Sequence, residues 1–206
     1  TRSSVESRGL GDVYKRQHQG EEELVLDVHK ALRERHDDLL LVLVPRHPER
    51  FDSVRELIRE RGFSLVSRTE GRAAGNADVF LCDTMGEVPL FYAASDVAFV
   101  AGSLVPIGGH NLLEPAALGV PVVTGPHNFN AQDIADLFIG MGACRRVEDP
   151  DELVEVVSEL LANPDEAARL GQAGQKVLEE NRGALDRLLV LLEPLLDRGG
   201  PGGASA

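Results

Sequence analysis

Four loops in this sequence gather the donors and acceptors that a small anionic ligand requires. The densest runs Gly102-Ser103-Leu104-Val105-Pro106-Ile107-Gly108-Gly109-His110-Asn111-Leu112-Leu113-Glu114-Pro115. A glycine pair delivering the chain into a helix leaves N–H groups unpaired and aims the positive end of the dipole outward. His110 and Asn111 add side-chain donors at the same spot, and Glu114, one turn on, offers a carboxylate to sugar hydroxyls. The plainer alternative is a glycine-rich turn with an Asn cap and a surface Glu. So many polar groups in one loop favour a ligand.

A second loop, Pro45-Arg46-His47-Pro48, brackets an arginine between prolines. An extended turn there would present the guanidinium, whose fixed fork of donors suits phosphate or carboxylate. A surface pair with Glu49 is the competing reading. In the third loop, Asp83-Thr84-Met85-Gly86-Glu87, Thr84 and Glu87 have the spacing of a capping box. The same helix start would offer amides to an anion, and Gly86 would let a ligand approach the backbone. The fourth loop, Thr124 to Asn130, holds His127 and two candidate caps, Asn128 and Asn130, and reads as ordinary.

Other chemistries leave no signature. The sequence has no P-loop, no GxGxxG after the first strand, no CxxC and no HExxH. Asp149-Pro150-Asp151 is better explained as a helix cap than as a metal site. Nor is there an obvious Ser, Cys or paired-acid constellation for covalent or acid–base catalysis.

The elements that must position these loops alternate. Helices are predicted over Gly20 to Arg35, Pro48 to Arg61, Thr84 to Ala94, Gly109 to Leu118 and Asn130 to Met141. Three more finish the chain, over Pro150 to Ala162, Pro164 to Glu180 and Gly183 to Leu196. Between them lie short aliphatic runs at Leu39 to Val44, Phe63 to Val66, Val79 to Cys82, Asp96 to Val100, Val120 to Thr124 and Cys144 to Val147. Continuous rather than alternating apolar runs are the mark of strands buried on both faces. The expectation is an α/β fold, a doubly wound parallel sheet with helices on both faces. In such sheets ligands bind outside the carboxyl ends of the strands, where all four loops fall.

Composition is consistent with that reading. The 206 residues carry 34 acidic and 21 basic side chains, a net charge of −13, which argues against gripping nucleic acid or anionic lipid through general charge. Cys82 and Cys144 are too few for a disulfide framework and sit in apolar runs, so two buried reduced thiols are expected. The longest aliphatic run, Leu39 to Val44, is far short of the ~20 residues a membrane span needs. Residues 1–17 lack periodicity and read as a disordered or non-native leader, residues 18–197 as the folded domain, and residues 198–206 as a disordered tail.

Taken together, His18-Gln19-Gly20-Glu21-Glu22, the strand and turn Leu41 to Phe51, Asp83 to Glu87, and Asp96 to Asn130 resemble the 3-deoxy-D-manno-octulosonic acid (Kdo) transferases of lipopolysaccharide synthesis. The resemblance runs from about His18 to Leu161. It implies the Rossmann-like C-terminal half of a GT-B glycosyltransferase, the half that holds the CMP-Kdo donor. Carried over by motif, donor contacts would fall on Pro45 and Arg46, on Met85, Gly86 and Glu87, and on Asn111, Leu112, Leu113 and Glu114. The resemblance implies no catalytic metal and no further cofactor. It places the membrane anchor, the site for the lipid A precursor and the catalytic glutamate in an N-terminal half that this sequence lacks, with the whole enzyme on the cytoplasmic face of the bacterial inner membrane. The fragment alone would then be soluble, would bind CMP weakly and would not transfer sugar. One departure stands out: Arg16-Gln17 occupy the place where the family has Ser-Thr before the histidine. Two other readings stay open, a UDP-sugar-dependent GT-B transferase or epimerase, and a non-catalytic nucleotide-binding module.

Overall fold

The computed structural model describes the backbone of residues 20–196 and the side chains of residues 21–181. Residues 1–17 and 198–206, read above as leader and tail, lie outside the described residues. Helix α1 spans Gly20–Arg33, with Glu21, Glu22 and Glu23 in its first turn and Lys30 and Arg33 in its last, a distribution that suits the helix dipole. It is followed by β1 (Leu41–Leu43), a short 3₁₀ turn (Pro48–Arg50) and α2 (Phe51–Glu60). Then come β2 (Leu65–Ser67), a second 3₁₀ turn (Arg68–Glu70), β3 (Val79–Leu81) and α3 (Val88–Ala93). The second half comprises β4 (Ala98–Val100), α4 (Leu113–Ala117), β5 (Val122–Thr124), α5 (Gln132–Gly140), β6 (Arg145–Arg146), α6 (Pro150–Ala162) and α7 (Pro164–Leu196).

Every strand pair among the described residues is parallel, as aliphatic strands linked by helices require. Among the described residues the strands form two three-stranded sheets, ordered β1-β3-β2 and β4-β5-β6. Helix α1 ties the halves together. Its Leu26 packs with Val54, Ile58, Val79 and Leu81 in the core of the first sheet. Its Val28 and Leu32 pack with Val123 and the α6 residues Leu153 and Leu160 in the core of the second. A further core, on Leu112, Ala116, Val122, Phe138 and Val177, joins α4 and α5 to β5 and α7.

Most element boundaries shift by a few residues from the sequence reading, and three of the differences have a local reason. The helix expected from Thr84 begins only at Val88, and the one expected from Gly109 begins only at Leu113. In both cases glycines at positive φ (Gly86 at 83°, Gly109 at 74°) hold the preceding residues in turns. The two terminal helices are one: α7 continues through Gly183 to Leu196. Asn181, expected near the break, donates its amide to the Val177 carbonyl at 2.7 Å and stays within the helix. A mid-helix glycine costs only about 1 kcal/mol, too little to stop a helix already docked along its first half.

Other expectations hold. Asp149 caps α6, accepting from the Glu152 amide at 2.8 Å, so the Asp-Pro-Asp stretch is a helix start. Both cysteines are free and buried, and burial pushes the Cys144 thiol up to about 12. Among the described residues no helix is long and apolar enough to cross a membrane.

Candidate functional site

Three of the four loops meet at one place. The carboxyl ends of β1, β3 and β4 open onto a cavity of about 1030 Å³, and its mouth is lined by Arg46, Met85, Gly86, His110, Asn111 and Glu114. Pro45, Thr84 and Tyr92 complete that rim. The fourth loop does not line the cavity but braces the loop after β4 beside it. Asn130 donates to the carbonyls of Ile107 at 3.2 Å and Gly109 at 3.4 Å, and the His127 amide donates to the Ser103 carbonyl at 2.9 Å. Neither Asn128 nor Asn130 caps α5 with its side chain; Asn128 is buried, accepting from Thr124 at 2.9 Å and donating to the Gly125 carbonyl at 2.7 Å.

Arg46 is exposed and donates Nη1 to His110 Nδ1 at 3.1 Å, not to Glu49, whose carboxylate stands 3.8 Å from His47. Because a guanidinium can only donate, Nδ1 of His110 holds the lone pair and the ring proton sits on Nε2. Burial, then the charges of Arg46 and His47, push the His110 pKa below the usual histidine value. The rim therefore presents a fixed cation beside a neutral imidazole, an arrangement that attracts an anion and can donate to it.

Asn111 and Glu114 form their own small unit. The Asn111 carbonyl oxygen accepts the Leu113 amide at 3.0 Å and its amide donates to Glu114 at 3.1 Å. Both are exposed, so this turn and the presentation of a carboxylate to a ligand coexist. Leu112 and Leu113 turn the other way: Leu112 is buried in the α4–α5 core and Leu113 packs against it. Their apolar side chains anchor the helix that carries Asn111 and Glu114. Tyr92, absent from the sequence reading, has its hydroxyl pKa raised by burial and by the charge of Glu114.

In the 83–87 loop, Met85 is 61 % exposed and Gly86 is exposed, while Glu87 faces sideways. Its carboxylate takes a two-pronged contact from Arg68 (2.8 and 3.1 Å) and the Thr84 hydroxyl, which hold it below the usual carboxylate range. Glu87 thus fixes the loop onto the turn after β2 and is not part of the cavity lining. Asp83 does the same at the end of β3. Burial would raise its pKa, but donors on Thr69 (amide 2.9 Å, hydroxyl 2.6 Å) and Arg55 (2.8 Å) outweigh it and hold it low.

The glycine pair corrects an expectation. The amides of Gly108 and Gly109 both donate to the Gly102 carbonyl, at 3.0 and 2.7 Å, and the His110 amide to Ala101 at 3.1 Å. They are spent on folding the loop and do not point at a ligand. The outward-facing amides are instead those of Gly102, Ser103 and Leu104, and the chain fills that nest itself. The Glu21 carboxylate, 6 % exposed, accepts from Gly102 and, at 3.0 Å each, from Ser103 and Leu104. Burial raises the Glu21 pKa against the pull of these three bonds. In the sequence Glu21 stood only within the His18 to Glu22 motif, with no role assigned to it.

With this geometry in view, likeness to known proteins becomes informative. The model for glycosyl transferases group 1 matches residues 16–177. The 3-deoxy-D-manno-octulosonic acid transferase of Haemophilus influenzae is 46 % identical over 183 residues, which are 88 % of this chain and 43 % of that protein. The enzyme of the same description from Bordetella pertussis is 38 % identical over 173 residues, 83 % of this chain and 40 % of its own length. Among solved structures, the C-terminal CMP-Kdo binding domain of WaaA from Acinetobacter baumannii superposes with a TM-score of 0.74 at 40 % identity, covering 78 % of this chain and 84 % of that one. The chain belongs to the Kdo transferase family of glycosyltransferases. It spans about two fifths of the length of the two transferases just described. WaaG, at 19 % identity and a TM-score of 0.52 over 75 % of this chain, shares the fold. The parallel sheets and flanking helices are therefore those of a Rossmann-like GT-B half, as the Kdo transferase motifs implied.

Proposed function

We propose that this chain is the donor-binding half of a Kdo transferase and holds CMP-Kdo at the mouth of the β1–β3–β4 cavity. The observation that carries the reading is the convergence of Arg46, Gly86 and the Asn111–Glu114 pair from three separate loops onto one rim. In this reading Arg46 pairs with the phosphate that links cytidine to the sugar, and Gly86 lets the ligand lie close to the backbone. Met85 covers an apolar face, and Glu114 accepts from hydroxyls. Pro45 sets the direction of Arg46; Glu87, Leu112 and Leu113 hold the two ligand-facing loops in place.

Transfer requires a hydroxyl of the acceptor to attack the anomeric carbon of Kdo while CMP departs with the bonding electron pair. A carboxylate base on the other half of the enzyme would take the hydroxyl proton. The contribution of this half is electrostatic: a guanidinium already in place stabilises the negative charge that grows on the leaving phosphate. The acceptor is a lipid A precursor, and the whole enzyme works at the cytoplasmic face of the bacterial inner membrane.

Isothermal titration with CMP tests the site. Binding in the micromolar-to-millimolar range with weaker binding of UMP supports the reading; no heat at several millimolar CMP overturns it. Tighter binding of UMP would instead favour a UDP-sugar enzyme.

A further inference from the structure

Arginines in this acidic chain readily find carboxylates. Arg33 pairs with Asp78, Arg50 with Glu22, Arg55 with Asp83, Arg61 with Glu23 and Asp27, and Arg68 with Glu87. Arg46 is different. Among the described residues no carboxylate pairs with it, and its guanidinium donates instead to Nδ1 of His110 at 3.1 Å. The acid of the same turn, Glu49, stands by His47. The two kinds of partner differ in charge. A carboxylate orders a guanidinium but offsets its positive charge, whereas an imidazole nitrogen orders it and leaves the charge whole. Burial, then the charges of Arg46 and His47, keep the His110 ring neutral and so able to accept.

His110 is itself held from behind. Its amide donates to the Ala101 carbonyl at 3.1 Å, and its ring lies against Gly102, where a Cβ would stand 3.2 Å from both Cε1 and Nε2. Gly102 is fixed in turn. Its carbonyl accepts the Gly108 and Gly109 amides, its own amide donates to Glu21, and its φ of 78° suits glycine. A chain of contacts thus runs from Glu21 on α1 through Gly102 and His110 to Arg46 at the cavity mouth.

We propose that His110 is a positioning residue, a neutral acceptor that fixes the Arg46 guanidinium at the cavity mouth with its charge undiminished for the phosphate of the donor. This role rests on the donor-binding reading above, although the hold on Arg46 can be measured without ligand. An exposed arginine left to itself samples many rotamers, and freezing them on binding lowers affinity. The His110 contact settles that ordering before the ligand arrives. One of the five guanidinium N–H groups goes to the ring, and four stay available to phosphate oxygens.

Three substitutions at one atomic position separate order from charge. In His110→Asn, Oδ1 takes the place of Nδ1 as a neutral acceptor; in His110→Asp the same place carries a negative charge; in His110→Ala it is empty. Nitrogen relaxation of the Arg46 Nε–H group in the ligand-free chain reads the order. The group should be rigid in the wild type, His110→Asn and His110→Asp, and mobile in His110→Ala. Equal mobility in the wild type and His110→Ala overturns the proposal, whatever CMP does. Should His110→Ala fail to fold, a mobile Arg46 in the wild type or in His110→Asn overturns it equally.

Titration with CMP reads the charge. Affinity should stay within about twofold of the wild type in His110→Asn, fall about 3- to 10-fold in His110→Ala, and fall about 10-fold or more in His110→Asp. Equal affinities of the Asn and Asp variants overturn the proposal. In an Arg46→Ala background His110→Ala should add nothing. The same loss in that background would mean that the imidazole contacts the phosphate itself, and overturns the positioning role. If the wild type takes no CMP while Arg46 shows the expected order, the donor-binding reading falls and the hold of His110 on Arg46 stands.

Discussion

Arg46 and His110, 64 positions apart, share a hydrogen bond of 3.1 Å across the mouth of the cavity. The bond exists because β1 and β4 end at the same level, so the loops that follow them open on the same side. It orients the guanidinium and fixes the imidazole tautomer in one contact.

Arg46→Ala should weaken CMP binding by about 1–3 kcal/mol, the usual worth of a charged hydrogen bond, or roughly 5- to 150-fold in Kd. Titration calorimetry of the variant measures it. An unchanged affinity removes Arg46 from the site.

Glu21→Gln should destabilise the fold by about 1–3 kcal/mol. The substitution replaces one of two accepting oxygens with an NH₂ group that faces backbone amides. Urea unfolding provides the magnitude, and faster exchange of the Gly102, Ser103 and Leu104 amides locates it. A loss of stability with unchanged exchange at those three positions would contradict the role assigned to Glu21.

Acidification should lower stability through His29. This ring is 2 % exposed, lies tilted at 43° against Phe63 with centroids 5.3 Å apart, and donates Nε2–H to the Asp78 carbonyl at 2.9 Å. Burial first, and then the charge of Arg33, lowers its pKa to about 4 from 6.5. Between those values the unfolded chain binds a proton that the folded chain refuses, so stability falls as pH drops across that window and is fully present above it. The change amounts to roughly 3 kcal/mol at most. Glu21 acts in the opposite sense, since its raised pKa means that the folded chain takes up that proton first. Comparing urea midpoints from pH 7 to pH 4 in wild type and His29→Gln isolates the histidine. The variant should lose less stability on acidification, and parallel curves would refute the assignment.

Gly171→Ala should be among the most destabilising single-methyl additions in the chain. A Cβ at Gly171 would collide with the Gly119 carbonyl where α7 crosses the turn after α4. Backbone cannot step aside as a flexible side chain can, so a cost of about 1–3 kcal/mol is expected. Thermal unfolding of this variant beside Gly140→Ala, whose Cβ would meet nothing within 4 Å, separates the clash from any general effect of the methyl group.

Much of the architecture was legible because its signals are local. Aliphatic runs such as Leu39 to Val44 marked buried parallel strands, Asp149 marked a helix start, and the loops bearing Arg46, Gly86 and Glu114 stood where strands end. The family motifs added the chemistry those loops serve. What the chain's linear order concealed was competition for the same groups. The amides of Gly108 and Gly109 are satisfied within their own loop, and the Gly102–Leu104 nest is filled by Glu21, 81 to 83 positions away. The strand order β1-β3-β2 and β4-β5-β6 was equally hidden, since which edges meet depends on packing rather than on any residue's own preference. Helix and strand preferences act over a few neighbours, whereas a hydrogen-bond donor goes to whichever acceptor the folded chain brings within about 3 Å.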